Sequence, residues 1–393
     1  MTLPYGPPDA PIDVPAAFDA VELEYAALRK GCVLADAPQR ATLEITGADR
    51  LKFLDAMITQ KTRDLKPFQS GRSFWLDRKG KIIADLRLTQ LPDRMLVDID
   101  PFTIEQTIET LTGFVFAEDV ELTDETARLH RLWLMGPTAA RLLELAAEHT
   151  EGQGPAPTEL ERDEACIVQV AGTEVVVERT DLIGALGLEL TLPADRAADV
   201  WDHLIEIGRP PALDPETGRP SAEPTPTQAE IRLRPAGWLA INTARIEAGI
   251  SLFNLDFGPT SRPGETAVLR DRVDFKKGCY LGQEVVARMD SRGAFKQRVS
   301  AIRFDAPALN PTDPHAPPPI PVAGAPVFAE GDDTPVGIIT SSTVSPMLGA
   351  APIAIATLKA DATEPGTRLR APTDAGPATG TVQASMQFWP PAT

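Results

Sequence analysis

Two proline-dense stretches, residues 209–227 and 305–321, constrain this chain most, because they mark where it cannot build a core. Dense in Pro with Asp, Thr and Ala, they bury too little apolar area to offset the entropy of ordering, and we expect mobile surface loops there. The remainder of the 393 residues is long enough for two or three packed domains. The first insert follows a helix expected at 194–207, begun after Pro193, and precedes a helix ending at Gly249. The second interrupts the opening hairpin of a β-rich module over 296–390.

Periodicity organises the rest. Residues 20–30 place Val21, Leu23, Tyr25 and Leu28 on overlapping helical faces, stopped by Gly31. Residues 42–46 alternate as a strand, and Asp49 is positioned to cap a helix carrying Leu51, Phe53 and Leu54. Extended segments 72–77 and 81–89 meet across Lys79-Gly80, a hairpin signal. Strand 93–99, helix 103–112, strand 127–134 and helix 138–148 follow with a βαβ texture, then a hairpin of strands 165–170 and 173–179.

The formal charge of −18 and pI near 4.7 argue against a general nucleic-acid or anionic-membrane binder. Between residues 270 and 298, however, eight Lys or Arg face four acids. Such a run is commonly a solvated face; as a site it suits an anion, a carboxylate tail or a phosphate. Cys32, Cys166 and Cys279 lie far apart with no CxxC pair, which excludes a disulfide framework and a self-sufficient metal site, so no permanent metal is expected. The acidic, proline-rich start has no basic or apolar leader region, and no apolar run reaches bilayer length, so a cytoplasmic protein without membrane attachment is expected.

Lys276-Lys277-Gly278-Cys279-Tyr280-Leu281-Gly282-Gln283-Glu284, continuing to Arg288, sets a thiol among cations at what reads as a helix start. Cations and helix N-termini favour the thiolate, and Gly278 and Gly282 permit sharp turns or close ligand approach. The plain alternative is a small buried apolar residue, the commonest fate of a lone cysteine.

The run KGCYLGQE resembles the signature of YgfZ-type folate-binding proteins, relatives of the glycine-cleavage T-protein (aminomethyltransferase). Eight consecutive residues make a specific match. Weaker pieces follow the superfamily's order: Glu24-Tyr25, Arg29, Asp36, Ile45-Thr46-Gly47, Asp49 and Phe53-Leu54 resemble its opening elements. Residues 76–86 are similar to its hairpin, whose paired aspartates are reduced here to Ala84 and Asp85. Residues 184–189 resemble its folate-contacting turn, residues 244–250 its RLEAG helix end, and Val336-Gly337, Thr340-Ser341-Ser342 and Ser345-Pro346 its C-terminal barrel.

The resemblance implies an α+β, three-module T-protein-like fold, with ferredoxin-like α/β modules around a central cleft and a C-terminal β-barrel. The expected modules are 18–60 with 180–290, then 61–179, then 291–393. It further implies tetrahydrofolate or a derivative as ligand, with Asp85 near the pterin or its reactive nitrogen and Glu189 accepting the pterin N–H pair. Arg245, Glu247, Gly278, Gly282, Gln283 and Arg288 are candidates for binding, Cys279 and Lys277 for chemistry. Each acid also has an ordinary structural reading, as do Arg245 and Glu247 as mutual partners. Trp75 and Trp238 fit a core as readily as a ring stack.

Aminomethyl transfer needs no cysteine, so the signature and the lost aspartate lead to an accessory factor rather than a conventional enzyme. Its expected role is assembly or repair of iron-sulfur proteins, with iron-sulfur assembly proteins or client enzymes as partners and an indirect effect on tRNA modification. The alternatives are a tetrahydrofolate-dependent aminomethyltransferase and, against the charge, an RNA-interacting protein.

Overall fold

The structure, a computed structural model, describes residues 1–211, 221–293, 295–305 and 318–388. Residues 212–220, about half of the first proline-dense insert, and 306–317, most of the second, lie outside that description. The end of the first insert is helical: Thr225 caps the helix Pro226–Ile231 by a reciprocal bond pair with Gln228, and proline occupies the first helical position.

The chain groups into two compact units. One comprises Met1–Asp55, Lys61–Arg72 and Leu86–Ile241; the other comprises Ala56–Gln60, Ser73–Asp85 and Asn242–Thr393. Each is described separately below.

The first unit holds a seven-stranded sheet in the order Ala147–His149, Ala165–Val170, Thr173–Arg179, Gly187–Pro193, Leu129–Met135, Cys32–Asp36, Leu233–Pro235. Its neighbours pair antiparallel, apart from the parallel contact of Leu233–Pro235 with Cys32–Asp36. Strand Thr173–Arg179 is alternating and β-branched, and with its partner Ala165–Val170 it keeps the bounds its sequence predicts. Val168, Val175, Val177, Leu188, Leu190 and Leu134 pack below the helices Ala139–Ala146 and Ala197–Gly208. The predicted helix 138–148 ends at Ala146, where the chain turns extended and adds an edge strand.

A second sheet has the order Ser70–Leu76, Ile82–Gln90, Met95–Ile99, Ala41–Thr46, Glu121–Asp124. Within the first unit, Arg87 lies opposite Asp98 and Thr89 opposite Leu96. Because side chains alternate along a strand, Arg87 and Thr89 share one face.

The second unit ends in a closed six-stranded barrel. Gln297–Phe304 pairs with Ala351–Lys359 on one side and Gly376–Val382 on the other, which closes the sheet and removes its edges. The expected barrel residues Val336-Gly337 and Thr340–Ser342 lie on its long strand Pro335–Ser345. Ile302, Val327, Ile339, Ala356 and Leu369 are among the residues that fill the barrel. A separate core joins Phe74, Leu76, Ile82, Phe253, Phe257, Tyr280 and Val286, so KGCYLGQE is anchored by its tyrosine and by the helix that follows.

Candidate functional site

In the second unit, the hairpin turn after Leu76 is built by Asp77, whose Oδ1 accepts the amides of Lys79 and Lys81 at 2.8 Å each. Gly80 has φ of +70°, and a Cβ there would stand 3.0 Å from Val285, so the turn lies directly against the start of helix Gln283–Arg292. Gly282 precedes that helix at φ +82°, where an added Cβ would meet Asp77 O at 3.0 Å. Both glycines are therefore demanded by backbone shape and close approach.

Cys279 is exposed, whereas Cys32 and Cys166 are buried. Burial pushes both inner thiols up to about 12, which leaves them inert at neutral pH. The helix begins at Gln283, so Cys279 sits in the turn leading into it, outside the first helical residues. Lys277 extends its ammonium to the carbonyls of Ile58 and Gln60, 2.8 Å each, and lies 5.4 Å from the Tyr280 ring centroid. Gly278 and Arg288 are exposed and Gln283 is partly buried as the first residue of the helix.

Asp85, deeper on the same hairpin, is clamped by Arg272: Nε donates to Oδ1 at 2.7 Å and Nη2 to Oδ2 at 3.3 Å. Arg272 also donates to Asp271, and its carbonyl accepts the Thr59 hydroxyl at 2.6 Å. Sequence reasoning missed Arg272 as this partner; it sits within the basic stretch, where charge counting alone does not single it out.

Arg245 is 1% exposed and donates to Asp256 Oδ2 at 2.7 Å, Ser341 Oγ at 2.6 Å, Asn242 Oδ1 at 2.9 Å and Ile250 O at 3.0 Å. Asp256 in turn accepts from Leu252 N and from the hydroxyls of Thr340 and Ser341. Glu247, fully buried, accepts from Ser345 Oγ at 2.6 Å. Both residues thus tie their helix to the barrel strand Pro335–Ser345, within one unit.

Glu189 belongs to the first unit and lies on strand Gly187–Pro193, where the sequence had suggested a turn. Its carboxylate accepts from Arg131 Nη1, from Trp133 Nε1 at 3.0 Å and from Arg87 Nη1 at 3.3 Å. Around it the sheets assemble a buried charge cluster that sequence reasoning did not find. Arg40 donates to Asp98 at 2.7 Å, Arg131 donates to Thr42 and Thr191 at 3.0 Å, and Thr89 donates to Glu178 Oε2 at 2.6 Å. Burial alone would raise Asp98, but Arg40, Arg131 and Arg87 outweigh it and bring it to about 2. Burial pushes Glu178 up to about 7, with Arg87 opposing and Glu189 reinforcing. Three buried polar atoms of the cluster have no hydrogen-bond partner: Arg87 Nε, Arg131 Nε and Glu178 Oε1. Their charged neighbours stand off at 3.8 Å, Arg87 Nε to Glu178 Oε1, and 3.6 Å, Arg131 Nε to Asp98.

Trp75 is a core residue with no exposure, and the ring of Trp238 tilts against Trp133 at a centroid distance of 6.4 Å. Among the described residues, no group of three or more His, Cys, Asp or Glu is arranged to hold a metal, and no helix is long and apolar enough to cross a membrane.

Residues 4–218 match the GCVT N-terminal domain family, and residues 309–389 match the glycine cleavage T-protein C-terminal barrel domain. The chain belongs to the glycine-cleavage T-protein family. Its relatives in that family include the aminomethyltransferase of Cutibacterium acnes, 27% identical over 91% of this chain and 87% of the relative. The aminomethyltransferase of Geobacillus kaustophilus is 26% identical over 89% and 85%. A 4-methylaminobutanoate oxidase (formaldehyde-forming) from Paenarthrobacter nicotinovorans is 28% identical over 88% of this chain but only 38% of its own length. The solved glycine cleavage system aminomethyltransferase T from Bartonella henselae has the same fold, with TM-score 0.75 and 20% identity over 96% of this chain and 92% of its own. T-protein-type architecture with a C-terminal barrel, expected from the sequence, is therefore present. The names of these relatives match the aminomethyltransferase alternative rather than the iron-sulfur reading.

Proposed function

We propose that this chain binds a tetrahydrofolate and acts as a YgfZ-type accessory factor for assembly or repair of iron-sulfur proteins, with Cys279 as its working thiol. The observation that carries the reading is the contrast among the three cysteines: two are sealed in the core, and the one within KGCYLGQE is exposed. Folate is supported by the family. Asp85, oriented by Arg272, would face a folate nitrogen. Tetrahydrofolate, when bound, supplies the nitrogens that take up a one-carbon unit. The chain's own residues orient the ring and hold the carboxylate charge in place.

A second reading, tetrahydrofolate-dependent aminomethyl transfer, is favoured by the names of the relatives. The single aspartate at 85, with Ala84 beside it, weighs against it. Deleting the gene and assaying four-iron enzymes under oxidative stress, with wild type or Cys279→Ala restored, tests the first reading. Rescue by wild type alone supports it, and equal rescue by the alanine form removes the thiol from it. Turnover of an aminomethylated lipoyl carrier protein by the purified chain would instead establish the second.

A further inference from the structure

We propose that the surface around Cys279 is a docking site for an acidic face of a partner protein, built by two segments distant in sequence. The hairpin turn contributes Arg78, Lys79 and Lys81, and the signature segment contributes Lys276 and Arg288. Close approach of Gly80 to Val285, and of Gly282 to Asp77 O, joins the two segments. Arg288 follows Val285 by three residues and so lies on the same helix face, over the turn. Cys279 is three residues from Gly282, no more than about 11 Å of extended chain.

Arg78, Lys79, Lys276 and Arg288 are exposed and Lys81 is partly so. In much of the molecule arginines are matched with carboxylates, for example Arg94, Arg141, Arg196, Arg368 and Arg370. These five cations have no carboxylate partner among the described residues. The acids of the two segments, Asp77, Asp274 and Glu284, offset only part of this charge, three carboxylates against five cations, and Asp77 and Asp274 are turned toward backbone amides. On a chain of net charge −18 this local reversal steers a partner of like overall sign to one place. A nucleic acid, negative along its whole length, meets repulsion beyond the patch. Phe275, 37% exposed beneath the Arg270 guanidinium at 4.6 Å, offers an apolar contact at the margin.

The inference rests on the thiol reading only for its biological purpose, and its test is separate. Cys279, the exposed thiol, reports the local field through its rate of exchange with peptides activated as thiopyridyl disulfides. Its thiolate attacks the peptide sulfur, the peptide-protein disulfide forms and pyridinethione leaves, which is read by absorbance. A glutamate-rich peptide is expected to react about tenfold faster than its glutamine counterpart at low salt, a lysine-rich one slower, with the differences closing at high salt. Arg78→Glu, Lys79→Glu and Lys276→Glu together should abolish or invert the preference. Equal rates for the glutamate and glutamine peptides, or a preference surviving charge reversal, would overturn the proposal. So would a short RNA that shields Cys279 better than the acidic peptide. Equal rescue by Cys279→Ala in cells would sink the thiol function while leaving these rates unchanged.

Discussion

Arg272 grips Asp85 through both carboxylate oxygens, at 2.7 and 3.3 Å, and so fixes the plane of that acid. The pair is largely shielded from solvent, which makes each partner costly to remove alone.

Arg272→Ala should lower unfolding free energy by roughly 1–3 kcal/mol, measured by urea denaturation. Asp85→Asn should weaken tetrahydrofolate binding by at least about tenfold in calorimetry, the worth of one charged hydrogen bond. Unchanged affinity in Asp85→Asn would leave the acid a purely structural role.

Glu178 gives a pH signature. Its folded value, about 7, lies above the ordinary 4.5, so the folded state holds a proton that the unfolded state has released. Stability from this group is therefore full below pH 4.5 and falls as pH rises through 7. Glu178→Gln should be more stable than wild type above that point by on the order of 1–3 kcal/mol, with the advantage fading in acid. Asp98 acts oppositely: depressed to about 2, it contributes stability above its ordinary 3.8 that is lost as pH falls through 2. Melting curves across pH for the two variants, Glu178→Gln and Asp98→Asn, separate the effects.

Arg245→Ala strands Asp256 in the core without its cation and should cost about 3–5 kcal/mol, seen as a large drop in melting temperature. A variant that melts normally yet loses tetrahydrofolate would return Arg245 to the binding site.

Gly282→Ala forces a side chain into a left-handed turn against Asp77 O and should destabilise by about 1–3 kcal/mol. Cys279→Ser, on the surface, should stay within about 0.5 kcal/mol of wild type. A thiol titration of the native protein should find one fast-reacting group, and none in the serine variant.

Local elements were legible where pattern and punctuation agreed. Helix Val21–Lys30 ends at its glycine, and the hairpin turns at Lys79-Gly80 as the dipeptide requires. The opening hairpin Thr2–Tyr5 with Ile12–Pro15 was not, because prolines and acids mask an edge pair whose register runs from Thr2 opposite Pro15. Strand Gly187–Pro193 was obscured by the glycines before it, although Leu188, Leu190 and Leu192 alternate with Glu189 and Thr191. The charge cluster could not be read at all: Arg40, Arg87, Asp98, Arg131, Glu178 and Glu189 come from separate strands or loops, and only sheet register makes them neighbours. Arg245 and Glu247 stood open in the sequence between ligand contact and structural partnership, and their described partners, known only from sheet and helix packing, bind a helix to a barrel strand.

The sealing of Cys32 and Cys166 sets the stoichiometry of anything attached at Cys279. A mixed disulfide or persulfide formed there meets no second accessible thiol of the same chain to displace it, so the adduct is kinetically trapped until an outside reductant arrives. The molecule is thereby suited to hold one guest per turn, with its release rate set by the thiol pool of its surroundings.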